Sequence, residues 1–240
     1  MSLGEQFWWA WPWMSLSMAM IMLILLFGTN LLRGGDDPRW RDPVWLAWLT
    51  MPTYLIHQFE EYALHITNGQ HDIVTNIFST GIVEPTGFPM GHFPFVNIAL
   101  VWFGVPLGAY LCKRLRLPVL GFASYGFILL NGLLHLSSTL FGGAPISANP
   151  GFFTGTFIFV PLSILAIVVS LRNHAVGGRG IAVWLTSGIV AHLILFAGFA
   201  AANAGGAVAI YTCDLLVATS WIALSLLGNR ALRARRRAGT

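Results

Sequence analysis

The chain has 240 residues, of which 56% are hydrophobic and only 9% charged, with a mean hydropathy of +0.70. A soluble domain carries about 25% charged residues, so the composition excludes an ordinary water-soluble protein and points to a single polytopic transmembrane domain over 1–240. Two cysteines supply neither a disulfide framework nor a thiolate zinc motif.

In chain order, residues 1–13 lack the basic start of a secretory signal. Their Trp8, Trp9, Trp11 and Trp13 read as an interfacial aromatic belt. Seven apolar segments follow, at about 14–32, 44–66, 93–112, 118–141, 152–171, 181–204 and 206–228. Each is near the ~20 residues that cross a bilayer as a helix. The expected fold is all-α, a seven-transmembrane-helix bundle. Pro52, Pro106 and Pro161 fall inside spans, where each removes an N–H and favours a kink. Gly104-x-x-x-Gly108 fits close helix packing.

The loops set the expected orientation. Arg33, Arg39 and Arg41 follow the first span; Lys113, Arg114 and Arg116 follow the third; Arg172 and Arg179 follow the fifth. Arg230, Arg233, Arg235, Arg236 and Arg237 follow the seventh, which completes the 13 Lys and Arg. All lie on one side, the cytoplasmic side by the positive-inside rule. The N-terminus is then outside, the C-terminus inside, and 229–240 a basic cytoplasmic tail suited to anionic lipid. The expected location is the plasma (inner) membrane, with membrane lipid as partner and no nucleic acid.

One span is unlike the others. Val44 to Ile66 is long enough to cross, yet carries His57, Glu60, Glu61 and His65. A carboxylate at membrane depth costs at least about 2.5 kcal/mol, so two adjacent ones require partners. At about 100° per residue, His57, Glu61 and His65 share one stripe. Counting ~1.5 Å per residue, His57 and Glu61, Asn131 and His135, Asn97, and Asp214 all lie roughly 6–15 Å below the outer ends of four different spans. His192 comes out deeper. A nitrogen–oxygen metal site follows as one reading, with His57, Glu61, His135 and His65 as ligands. Glu60 is then the proton-moving catalytic group, and Asn97, Asn131 and Asp214 support the site. The other reading is hydrogen bonding across helices with one Glu protonated.

His57-Gln-Phe-Glu60-Glu61 resembles the HXXEE motif of a family of small integral membrane proteins. Asn131-Gly-Leu-Leu-His135 is similar to that family's Asn-x-x-x-His. Asn149-Pro150-Gly151 through Thr154, with Pro161, resembles the Pro-Gly segment and helix proline that come after it. The resemblance covers roughly 45–165 and implies that His57, Glu60, Glu61, Asn131 and His135 are signature residues. It implies no activity. Asn131 stands where a further carboxylate would be needed for a carboxylate-rich di-metal cage, which argues against one.

The expected function is an intramembrane metal-dependent enzyme, using Zn, Fe or Mn, that acts on a lipid or other small hydrophobic substrate. A transporter or channel coupled to protons or cations is the alternative, and a structural or receptor-like protein the third. The apolar inner halves of the spans weigh against transport. The single lysine, Lys113 in a loop, excludes a retinal Schiff base, and no His-Glu-x-x-His pentad occurs.

Overall fold

A computed structural model of the chain describes residues 2–64, 73–173 and 176–238. Among the described residues there are eight helices and no strand. They are α1 (Leu3–Gly28), α2 (Pro43–Tyr62), α3 (Ile73–Ser79), α4 (His92–Leu115), α5 (Pro118–Leu140), α6 (Phe152–Arg172), α7 (Gly177–Gly205) and α8 (Ala207–Ala238). Six of them, all but α2 and α3, are long and apolar enough to cross a membrane. This is the architecture of a multi-pass membrane protein. α1 begins at Leu3 rather than near 14, so the tryptophans are helical. Trp9 and Trp13 face outward, while Trp11 is buried against Tyr62 with ring centroids 4.8 Å apart. α7 and α8 divide at Gly206, whose φ of 72° ends the helix.

α2 holds the centre. Asp42 caps it, its carboxylate accepting the Val44 and Trp45 N–H groups, and Pro43 starts it without wasting a donor. Sixteen of its 20 residues are buried, against α1, α4 and α5 among others. At about 1.5 Å per residue it is ~30 Å long, but its polar side chains set it apart from the six apolar helices. Its neighbours shield those side chains from the surroundings, which makes such a sequence tolerable at this place in the bundle.

Two of the three prolines expected inside spans sit just past a wide helical turn. The backbone is π-helical over Ile98–Gly104 and Gly155–Phe159, and Pro106 and Pro161 follow at once. A proline ring crowds the carbonyl four residues back. Here the ladder has shifted to i→i−5, with Val105 N–H bonding Leu100 O and Val160 N–H bonding Gly155 O. Pro52, by contrast, lies within a helix that stays α-helical.

Glycines set the closest approaches. A methyl group on Gly104 would lie 2.8 Å from the Ala218 carbonyl oxygen, and one on Gly108 would meet the Trp221 ring, so this pair seats α4 on α8. Gly126 on α5 touches the Trp184 carbonyl and Gly188 of α7, while Gly180 lies near Val119. Since 119 meets 180 and 126 meets 188, α5 and α7 run parallel. Gly126→Ala drives a methyl group into backbone and is expected to cost about 1–3 kcal/mol, read as a lower unfolding temperature in detergent.

Candidate functional site

Beyond the Gly126–Gly188 crossing, α5 and α7 part around a cavity of about 200 Å³. Glu61 and His135 line it, as do His92 and Asn97 from α4, Asn131 from α5 and His192 from α7. Ile73 and Ile77 of α3 line it as well, and the rest of the wall is aliphatic and aromatic. The connection between α2 and α4 thus contributes a short helix to it.

At one edge of this cavity three side chains converge. Four-residue spacing puts His57 and Glu61 on one face of α2, with His57 Nε2 3.3 Å from Glu61 Oε1. His135 Nε2 reaches the same oxygen at 3.3 Å from α5. The three ligand atoms lie within 4.8 Å of one another. His57 Nε2 is fully buried, and the Glu61 oxygen is its polar neighbour among the described residues, at a distance and angle short of a well-formed hydrogen bond.

The far sides of both imidazoles explain why. His57 Nδ1 lies 2.6 Å from Thr154 Oγ1, and that hydroxyl lies 2.5 Å from Glu60 Oε2. Glu60 also accepts the backbone N–H groups of Phe153 at 3.0 Å and Thr154 at 2.8 Å. The threonine proton goes to that carboxylate, so its oxygen accepts from His57 Nδ1–H. His135 Nδ1 lies 2.9 Å from Asn149 Oδ1. The Asn149 amide nitrogen donates to His135 O at 2.7 Å, Ser138 Oγ at 2.9 Å and Thr139 Oγ1 at 2.8 Å, which fixes its oxygen toward the ring. Each imidazole therefore donates from Nδ1 and turns Nε2 toward the Glu61 carboxylate, and in the neutral ring that nitrogen carries a lone pair. With both rings neutral, three electron pairs face one another, an arrangement that a shared cation or a proton on one ring relieves.

Gly151 closes the other side. Its φ is 88°, and a methyl group there would stand 2.7 Å from His57 Cε1, 2.8 Å from His135 Cε1 and 3.0 Å from Glu61 Cγ. Only glycine lets the backbone lie this close to all three.

The remaining expected site residues go elsewhere. Glu60, expected to move protons, is committed to three donors at the N-terminus of α6; it pins α6 to α2 and holds Thr154 against His57. Asn97 accepts from Gln58 at 3.0 Å and donates to Tyr62 Oη at 3.2 Å and Phe93 O at 2.8 Å, joining α4 to α2. Asp214 pairs with His92 rather than with the three converging residues. Asn131 lines the cavity, and its buried Oδ1 has no partner among the described residues. His65 lies outside the described residues. Depth alone had suggested one cluster; the side chains divide by the helix face each occupies.

Residues 48–166 match a family described as proteins of unknown function with an HXXEE motif. Over that stretch the chain belongs to the HXXEE-motif family. No curated protein and no solved structure matches it. The matched stretch contains every member of the converging group and its supports, and the motif now reads physically. Its histidine and second glutamate converge with His135, while its first glutamate caps a neighbouring helix.

Thr154, Asn149 and Gly151 were visible beforehand only as part of a Pro-Gly segment, and His92 was not singled out. Thr154→Val and Asn149→Ala each remove the acceptor that orients one imidazole. Each is expected to weaken metal binding about 10–100-fold with unchanged helix content, measured by competition with a chelator.

Proposed function

We propose that this chain is an intramembrane metal-dependent enzyme. His57, Glu61 and His135 hold one divalent ion, and the adjoining cavity takes a lipid or other small hydrophobic substrate. The observation that carries this reading is the pair of 3.3 Å contacts made by two imidazole Nε2 atoms with one carboxylate oxygen. Ligands bonded at about 2.0–2.1 Å to a tetrahedral ion stand roughly 3.3–3.4 Å apart. Two nitrogens and one oxygen suit Zn, Fe or Mn. Three protein ligands leave a fourth position, as catalytic sites do, and Glu61 and His135 border the cavity from which a substrate or water would reach it. The ion would supply a Lewis acid or an activated water.

In this reading α2 is a seventh membrane-crossing helix, sheltered by the six apolar ones. The Lys- and Arg-bearing loops face the cytoplasm, with the N-terminus outside, the C-terminus inside, and the plasma (inner) membrane as the location. The site then belongs to the outer half. Polar groups toward the inner end satisfy one another: Thr50 bonds Ser124 at 3.0 Å, and Tyr125 bonds the Leu46 carbonyl at 2.9 Å. This favours an enzyme over a transporter, which needs a continuous polar path.

The test is turnover of a total membrane lipid extract in nanodiscs, with each metal added separately and products followed by mass spectrometry. A product that requires metal and is lost in His135→Ala supports the proposal. Fully metal-loaded protein that alters no lipid contradicts the enzymatic part, and ion flux would then be measured.

A further inference from the structure

The cavity has a second titratable constellation that the ion-binding group does not use. His92 Nδ1 lies 2.8 Å from Asp214 Oδ1 and 3.0 Å from Oδ2. His92 is 1% exposed and Asp214 is fully buried, joining the start of α4 to α8. Phe88, Phe93 and Phe199 pack around the imidazole, with ring centroids 5.7, 5.1 and 5.3 Å away. No other hydrogen-bond partner of Asp214 occurs among the described residues, so its charge serves this ring alone. A carboxylate on Nδ1 holds that proton in place and leaves Nε2 as the basic nitrogen. Nε2 has no partner among the described residues, and His92 lines the same cavity as Glu61 and His135.

We infer that His92 is the catalytic acid–base group of this cavity and Asp214 its positioning residue, a role that rests on the metal-dependent reading above. His92 Nε2 would take the proton of a water or substrate hydroxyl in the cavity as that O–H bond breaks, the oxygen using the freed electron pair to bond the substrate's electrophilic atom, whose bond to the leaving atom then breaks. Asp214 stabilises the imidazolium, which then returns the proton to the leaving or product atom. This gives the site the proton carrier that Glu60, held by α6, does not supply. His192, the other cavity histidine off the ion-binding group, has no carboxylate; its Nδ1 lies 2.9 Å from Gly188 O.

The test reads His92 without needing a substrate. Protein in nanodiscs is treated with diethyl pyrocarbonate, a small apolar acylating agent, and each histidine's rate is measured by peptide mass spectrometry. His92 is expected to react at Nε2 despite its burial. In Asp214→Asn the amide NH₂ donates to Nδ1 and moves the ring proton to Nε2. The His92 rate is expected to fall at least about 10-fold, with His192 and the bound metal unchanged. An unreactive His92 in the wild type, or equal rates in the two proteins, overturns the inference. Absence of metal with the His92 pattern intact instead defeats the metal reading alone, because the labelling does not depend on the ion.

Discussion

Glu61→Gln is expected to abolish metal retention while leaving the bundle folded. The carboxylate oxygen is the atom both imidazoles approach at 3.3 Å, so it is the shared vertex of the ligand triangle. A neutral amide oxygen is a poorer ligand for Zn, Fe or Mn. Losing one of three protein ligands should weaken binding by more than the 10–100-fold typical of an outer partner. Without metal and with both rings neutral, Glu61 is a buried charge with no counter-charge, so neutralising it is expected to keep or raise stability. The paired result, metal lost and thermal stability kept, separates a ligand from a structural residue. It is read by elemental analysis beside a circular-dichroism melt. A Gln variant that retains stoichiometric ion would show that Glu61 is not a ligand.

Gly151→Ala is expected to be the most damaging small substitution in the site. A non-glycine residue in the left-handed region costs about 1–2 kcal/mol. Overpacking adds typically 1–3 kcal/mol. Here the added methyl meets His57, His135 and Glu61 at 2.7–3.0 Å at once. Relief requires those side chains to move, so a stability loss of about 2–5 kcal/mol should come with loss of metal. Gly143, also at positive φ, has open space around it, and its Ala variant is the control for strain alone. Equal effects at the two positions would show that contact with the converging residues is unimportant.

How far the site was legible depends on which geometric coordinate the sequence carries. Position along a helix follows from counting residues. The i, i+4 pairs His57/Glu61 and Asn131/His135, and the matching depths of α2 and α5, were therefore readable. Direction around the helix is only relative until the neighbours are known. Glu60 is about 100° from Glu61, which turns it toward α6 and makes it a cap. Asn97 and Asp214 lie at similar heights but face Gln58 and His92. Asn149, Gly151 and Thr154 look like ordinary turn residues, because their roles arise only when the entry to α6 folds over α2. The two π turns were announced only by the prolines that follow them. The all-helical class was readable from composition, and the last two spans were divided near the Gly206 break, whereas α2, read as a span from its length and apolar stretch, is too polar to count among the six apolar helices.

The central claim is that His57, Glu61 and His135 coordinate one ion. X-ray absorption at the metal edge of the purified, metal-supplemented protein tests it most directly, with His57→Ala and His135→Ala alongside. The account predicts near-stoichiometric metal in about fourfold coordination, with two imidazoles and oxygen donors at about 2.0–2.2 Å. Each variant should lose the ion. A wild-type protein that stays folded and takes up no metal from any supplement, or binds one without imidazole ligands, would contradict it.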